Sequence, residues 1–163
     1  MRIGELCALQ WGDIDLENDC IYIRRTVQRI SDGSGKTYFH TGSPKTLHSE
    51  RDIPLPACLK PLFLSFHNEN PEIYVTNGNP SFTQPRTYQC RFKKYLKSCG
   101  LPSYKFHSLR HSFASRAIEL GVDPKTLSTL LGHSNVRMTL DLYVHPSFEQ
   151  KKREINRFYL PKG

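Results

Sequence analysis

Between Phe106 and His145 the chain carries His107-Ser108-Leu109-Arg110-His111, then Leu130-Leu131-Gly132-His133-Ser134, then Tyr143 just past an apolar turn. An arginine offers a planar fork of donors that matches two phosphate oxygens. An imidazole moves protons near neutrality. A free phenol ionises near pH ~10, so as a nucleophile it needs a neighbouring base or strong positive potential. Together these groups form a kit for phosphoryl chemistry without a metal.

Each residue also has a plainer reading. His107 and Arg110 stand three apart, so on a helix they share a flank, beside the apolar stripe rather than in it. Alone, such a pair reads as a solvated helix face with a capping histidine. His133 follows Gly132, where a helix stops; the ring is then exposed at a loop, as any surface histidine would be. Tyr143 is one of eight tyrosines, and its claim rests on the basic company that Tyr104 and Tyr159 lack. His107 and His111 are four apart, which is metal-ligand spacing, but no acidic third ligand is placed nearby.

Arg2 and Glu5 can meet on one helical turn, and as a surface pair they would contribute only a few tenths of a kcal/mol, roughly. Lys45 lies near a turn, where a lysine is usually just solvated, and Lys36 is a competing choice for any lysine role. Gly35-Lys36-Thr37 imitates the end of a phosphate-binding loop, but Ile30 stands where its first glycine would be needed. No nucleotide site follows.

In order along the chain, Arg2-Ile3-Gly4-Glu5-Leu6 runs into Cys7-Ala8-Leu9-Gln10-Trp11-Gly12-Asp13-Ile14-Asp15. Pro44-Lys45-Thr46 leads to Arg51-Asp52-Ile53-Pro54-Leu55, and His107-Ser108-Leu109-Arg110-His111 continues as Ser112-Phe113-Ala114. With Leu-Leu-Gly-His-Ser and Tyr143 behind them, these stretches resemble the catalytic domain of tyrosine recombinases, the phage-integrase family. The resemblance covers nearly the whole chain. It implies that Tyr143 attacks a DNA phosphodiester, leaving a 3′-phosphotyrosine and a free 5′-hydroxyl. Arg2 and Arg110 would clamp the non-bridging oxygens, and Lys45 would protonate the leaving oxygen. His107 would help deprotonate Tyr143, His133 would contact the phosphate, and Glu5 would hold the site's arginine and histidine in place. No cofactor and no metal is implied.

The implied partner is double-stranded DNA, handled by a homotetramer on DNA and a mostly monomeric free protein. Integration or recombination by a mobile element or phage is the implied setting. The natural protein is expected to extend upstream of Met1, because the family's first helices and its separate N-terminal DNA-clamping domain are absent here. A relaxing activity like that of type IB topoisomerases shares the chemistry. A basic DNA-binding module without catalysis is the other alternative.

The elements that must position these residues follow from periodicity. The 163 residues make one domain, and 37% hydrophobic against 23% charged residues is an ordinary balance for a globular core. A formal charge of +8 favours a polyanionic partner. Five cysteines without a Cys-x-x-Cys pair read as reduced thiols of a cytoplasmic, DNA-associated protein, with Cys7, Cys20 and Cys58 in the core.

The fold class expected is α+β, mainly α-helical, with a small antiparallel sheet near the N-terminus. A short helix spans 2–10, and a sheet is built from strands at 20–27, 36–40 and 51–55. Helices are expected over 56–66 and 87–99. A helix over 107–120 buries a stripe of Phe106, Leu109, Phe113, Ala117 and Leu120 and ends at Gly121. Asp123-Pro124 starts the next, with Gly132 as its stop. Two more helices are expected, from Asn135 to Tyr143 and from Ser147 to Tyr159. Arg91, Lys93, Lys94 and Lys97, on the helix that buries Phe92, Tyr95 and Leu96, and Arg137 are expected to line a DNA face. No apolar run approaches a membrane span.

Overall fold

The computed structural model describes residues 1–43, 50–133 and 135–140, together with 148, 151, 152, 155 and 156. Lys45 and Tyr143 lie outside the described residues, as does half of the two helices expected after Ser134. The chain opens with α1 (Ile3–Ala8) and a single tight turn at Trp11–Asp13. Five strands follow: β1 (Ile14–Asp15), β2 (Cys20–Ile23), β3 (Thr26–Ser31), β4 (Thr37–Gly42) and β5 (Arg51–Pro54). The remainder is helical: α2 (Lys60–Phe66), α3 (Pro85–Ser98), α4 (His107–Glu119), α5 (Pro124–Leu131) and α6 (Arg137–Leu140). Residues 148, 151, 152, 155 and 156 are helical as well. Among the described residues no helix is long and apolar enough to cross a membrane.

The single sheet expected is in fact two. β2 lies between β1 and β5, with Ile21 opposite Ile14 on one side and Ile53 on the other, while β3 and β4 pair separately from Thr26↔Gly42 to Ser31↔Thr37. The stretch 20–27 therefore breaks at Arg24-Arg25. Arg25 Nη2 reaches back to both oxygens of buried Asp13, at 2.7 and 2.6 Å, and Arg24 lies over the ring of Tyr22 at 4.6 Å. The break falls at the residue paired with Asp13.

Three apolar clusters support the layout. Leu9, Trp11, Ile14, Ile21, Ile23 and Leu55 fill the space under the three-stranded sheet. Cys7, Ala8 and Val27 join α1 to β3, where Gly4 permits the close approach: a Cβ there would sit 2.5 Å from Thr26 Oγ1. Ala114, Ala117, Ile118, Leu127 and Leu131 join α4 to α5.

This last cluster corrects the expected face of α4. Its buried positions are Arg110, Ala114, Ala117 and Ile118, whereas Leu109 and Phe113 are about half exposed at 51% and 53% and Leu120 is exposed. Small alanines let α5 approach closely, and turning that side inward carries Arg110 in with it. Leu109 and Phe113 instead line an apolar groove of about 560 Å³ together with Leu6, Ile21, Ile53 and Leu131. On α3, Phe92 and Leu96 are half-buried and Phe92 meets Phe106 edge-on at 5.4 Å, but Tyr95 is exposed. Cys7 is buried, with its thiol pushed up to about 11 by burial, Cys20 is half-buried, and Cys58 is exposed rather than in the core.

Candidate active site

The C-terminal end of α5 is the point on which the site converges. Asp123 caps the start of this helix by accepting from the backbone N–H groups of Lys125 and Thr126 at 3.1 and 2.7 Å, with Pro124 in the first turn. Gly132 ends it in the left-handed conformation, φ 65°. Backbone closure then follows: Gly132 N–H donates to Thr129 O and His133 N–H to Ser128 O, at 3.0 and 3.1 Å.

A helix leaves its last four carbonyls without helical partners, and they carry the negative end of its dipole. Three arginines from three other elements occupy the next carbonyls in succession. Arg51, at the start of β5, donates from Nε to Leu130 O at 2.9 Å. Arg110, on α4, donates from Nη2 to Leu131 O. Arg2, ahead of α1, donates from Nη2 to Gly132 O at 2.7 Å.

One carboxylate holds two of these cations. Glu5 Oε1 accepts from Arg2 Nη1 at 2.9 Å and from Arg51 Nη1 at 3.0 Å. Its Oε2 accepts from Arg51 Nη2 at 2.8 Å and from the Arg2 backbone N–H at 2.7 Å. The side chains of Glu5 and Arg51 are 2% and 3% exposed, so this is a buried pair. Burial alone would raise the Glu5 pKa, but the hydrogen bonds from Arg51 and Arg2 outweigh it and hold the carboxyl at about 2, against an ordinary 4.5. The resemblance implies an arginine and a histidine for Glu5 to hold; the structure gives it two arginines.

Arg51 belongs to this network although its stretch, Arg51-Asp52-Ile53-Pro54-Leu55, reads from sequence as a strand with no role for the arginine. A charged side chain opening a strand whose partner, Ile23, is buried could have signalled a buried cation needing a carboxylate.

The histidines approach the same point from two sides. His133 places Nδ1 2.8 Å from the hydroxyl of fully buried Thr139 on α6, which leaves Nε2 as the nitrogen available to another group. Its pKa is lowered from 6.5 by burial first and then by the charges of Arg110, Arg2 and Arg51. His107, exposed at the start of α4, is lowered by partial burial, then by His111, Arg110 and Arg2. Both rings are therefore neutral at pH 7 and able to accept a proton.

Arg110 is itself lowered to about 10, chiefly by burial and then by Arg2, and it stays cationic at neutrality. Its Nη1 is buried and has no hydrogen-bond partner among the described residues. An unpaired buried donor of this kind costs roughly 1–3 kcal/mol, which favours an anion placed against it.

Arg2, Glu5, His107, Arg110 and His133 are thus gathered, while Lys45 and Tyr143 lie outside the described residues. Arg91, Lys93, Lys94 and Lys97 are exposed on α3 and Arg137 is exposed on α6. His107 and His111 meet edge to face with centroids 4.7 Å apart. Among the described residues no group of three His, Cys, Asp or Glu is arranged to hold a metal ion.

Comparison with known proteins bears on this geometry. Residues 1–150 match the model of the phage integrase family. A XerC-like tyrosine recombinase of Caldanaerobacter subterraneus is 31% identical over 175 residues, covering 95% of this chain and 45% of that protein. The transposase of transposon Tn916 from Enterococcus faecalis is 27% identical, covering 96% of this chain and 42% of the relative. This chain therefore spans less than half the length of these relatives. Among solved structures, the Tn1549 transposon integrase in complex with circular intermediate DNA superposes with a TM-score of 0.75 at 27% identity, covering 97% of this chain and 56% of that one. The XerA recombinase gives a TM-score of 0.61 at 25% identity, covering 99% of this chain and 54% of its own. On the family match over residues 1–150 and the shared fold, the chain belongs to the phage integrase family, and its fold is that of a tyrosine recombinase catalytic domain.

Proposed function

We propose that residues 1–163 form one catalytic domain of a site-specific DNA recombinase that breaks and rejoins strands through a covalent phosphotyrosine. One observation carries this reading: three arginines meet at the end of α5 against a single carboxylate, and Arg110 Nη1 is buried without a partner among the described residues. A phosphodiester carries one negative charge, and a second develops as a nucleophile adds to phosphorus. A site with a cationic excess of two, fixed before the substrate arrives, favours that transition state over the ground state. The DNA complex of the Tn1549 integrase supports DNA as the partner.

In this mechanism the Tyr143 phenol gives its proton to neutral His107, and its oxygen bonds to phosphorus as the bond to the 5′ oxygen breaks. Lys45 supplies the proton that the leaving 5′ oxygen takes up. Arg2 and Arg110 hold the non-bridging oxygens through donors set in fixed forks. His133, held at Nδ1 by Thr139, donates from Nε2 to the phosphate. Attack of a 5′-hydroxyl on the phosphotyrosine reverses the step and joins strands, so neither ATP nor a divalent ion has a role. Glu5 acts on Arg2 rather than on DNA. Arg91, Lys93, Lys94, Lys97 and Arg137 add charge along the backbone of a duplex. Assembly into a tetramer on DNA, from free protein that is mostly monomeric, completes the proposal.

The test is covalent trapping on a nicked duplex whose cut fragment diffuses away, run with and without EDTA. An adduct formed equally in both supports the reading. DNA binding with no adduct would make the chain a non-catalytic module, and an adduct that requires metal would refute the mechanism.

A further inference from the structure

Resting on the recombinase reading, we propose that Arg51 is a positioning residue of this site: it sets Arg2 through Glu5 and His133 through the end of α5. Nothing in the recombinase chemistry above uses Arg51, yet it is as buried as Arg110, each 7% exposed, while the Arg2 side chain is 39% exposed. Its guanidinium makes a two-point contact with Glu5, at 3.0 and 2.8 Å, and a third bond from Nε to Leu130 O at 2.9 Å. These bonds join β5, α1 and α5, three elements with no covalent closeness in the sequence.

The consequences reach the phosphate-binding groups by short paths. Glu5 divides its oxygens between Arg51 and Arg2. With Arg51 gone, the buried carboxylate keeps one cationic partner and would draw Arg2 into a two-point pair. Arg2 would then leave Gly132 O, the carbonyl next to His133. On the other side, Leu130 O directly precedes the carbonyl that Arg110 holds, and His133 follows within the same turn. Gly132 is fitted to the same guanidinium: a Cβ there would sit 2.8 Å from Arg51 Nη1 and 3.1 Å from its Cζ. Arg51 therefore acts on geometry and makes no contact with DNA.

A displacement of about 1 Å at a reacting centre can reduce a rate on the order of 100-fold. The experiment measures single-turnover adduct formation at saturating nicked duplex, together with duplex affinity and the folded fraction by thermal melting. For Arg51→Gln the expected result is a rate constant about 100-fold lower, with affinity within roughly threefold of the parent. For Arg51→Lys, which keeps the charge but cannot make all three bonds, a smaller loss of about 10-fold is expected. A merely structural arginine would lower the amplitude of the reaction and the melting temperature while leaving the rate constant of the folded fraction unchanged, and that result overturns the inference. So does a fall in affinity that matches the fall in rate, because it would make Arg51 a DNA contact.

If Arg51→Gln does not fold, Arg51→Lys decides alone: a slowed rate constant at unchanged affinity supports positioning, and a parental rate constant overturns it. Absence of an adduct with the parent chain is a different outcome, since it removes the recombinase reading itself.

Discussion

Replacing Glu5 by glutamine removes one charge and no volume, and its cost follows from the site's geometry. Glu5 is 2% exposed and accepts four hydrogen bonds, three from guanidinium nitrogens and one from a backbone N–H. Holding its pKa at about 2 instead of 4.5 corresponds to about 3 kcal/mol of preference for the charged form. Breaking a buried ion pair by removing one partner gives a similar figure, roughly 3–5 kcal/mol. In either orientation the N–H₂ of Glu5→Gln faces one donor of Arg51 and one of Arg2, and neither cation keeps a counter-charge. Unfolding free energy at pH 7 should fall by about 3 kcal/mol, and the melting temperature of a chain this size by roughly 10 °C.

The pH dependence is a stricter check. The folded pKa of Glu5 lies below its unfolded value, so its contribution is complete above 4.5 and is lost as pH falls toward about 2. Glutamine has no such titration. Urea unfolding of both proteins should show a gap that is constant above pH 5 and shrinks steadily below it. A gap under 0.5 kcal/mol, roughly the scatter of ordinary surface changes, would refute the argument. A large gap that persists unchanged to acid pH would refute it as well.

Gly132→Ala should destabilise the fold by about 2 kcal/mol, measured by chemical denaturation, because alanine is strained at φ 65° and its Cβ meets the Arg51 guanidinium at 2.8 Å. A neutral Gly132→Ala would show that Arg51 does not hold this turn. Arg110→Lys keeps the charge but loses the planar fork, so cleavage should fall by orders of magnitude while DNA binding survives; near-parental cleavage would make Arg110 an ordinary structural charge. Duplex affinity should drop steeply between about 50 and 200 mM salt, and neutralising Lys93, Lys94 and Lys97 together should flatten that slope by up to roughly three counterions. An unchanged slope would remove α3 from the DNA face.

What could be read from the sequence was what local chemistry determines. The Asp123-Pro124 start and Gly132 stop of α5, and the close of α4 at Gly121, depend on a few adjacent residues, and the structure has them where the sequence puts them. The Arg2–Glu5 pair follows from spacing on one turn in the same way. What failed depended on distant partners. Leu109, Phe113 and Leu120 repeat at helical spacing, yet α4 turns Ala114 and Ala117 toward α5 because small side chains permit closer packing there. The strand read over 20–27 breaks at Arg24-Arg25, where Arg25 pairs with Asp13, twelve residues earlier. The role of Arg51 is not legible in the sequence, since its partners, Glu5 and the Leu130 carbonyl, lie far away along the chain and meet it only when β5, α1 and α5 come together. In the same way, the face of α4 that carries Arg110 inward could not be told from its flank.

The most direct test of the central claim is to identify the atom that holds DNA. A nicked duplex incubated with the chain, followed by proteolysis and mass spectrometry, should give a peptide in which Tyr143 carries the 3′-phosphate of the cut strand. Tyr143→Phe should bind the duplex with unchanged affinity and give no adduct, because only the attacking oxygen is lost. A DNA link mapped to any other residue, or an adduct formed by Tyr143→Phe, would contradict the account.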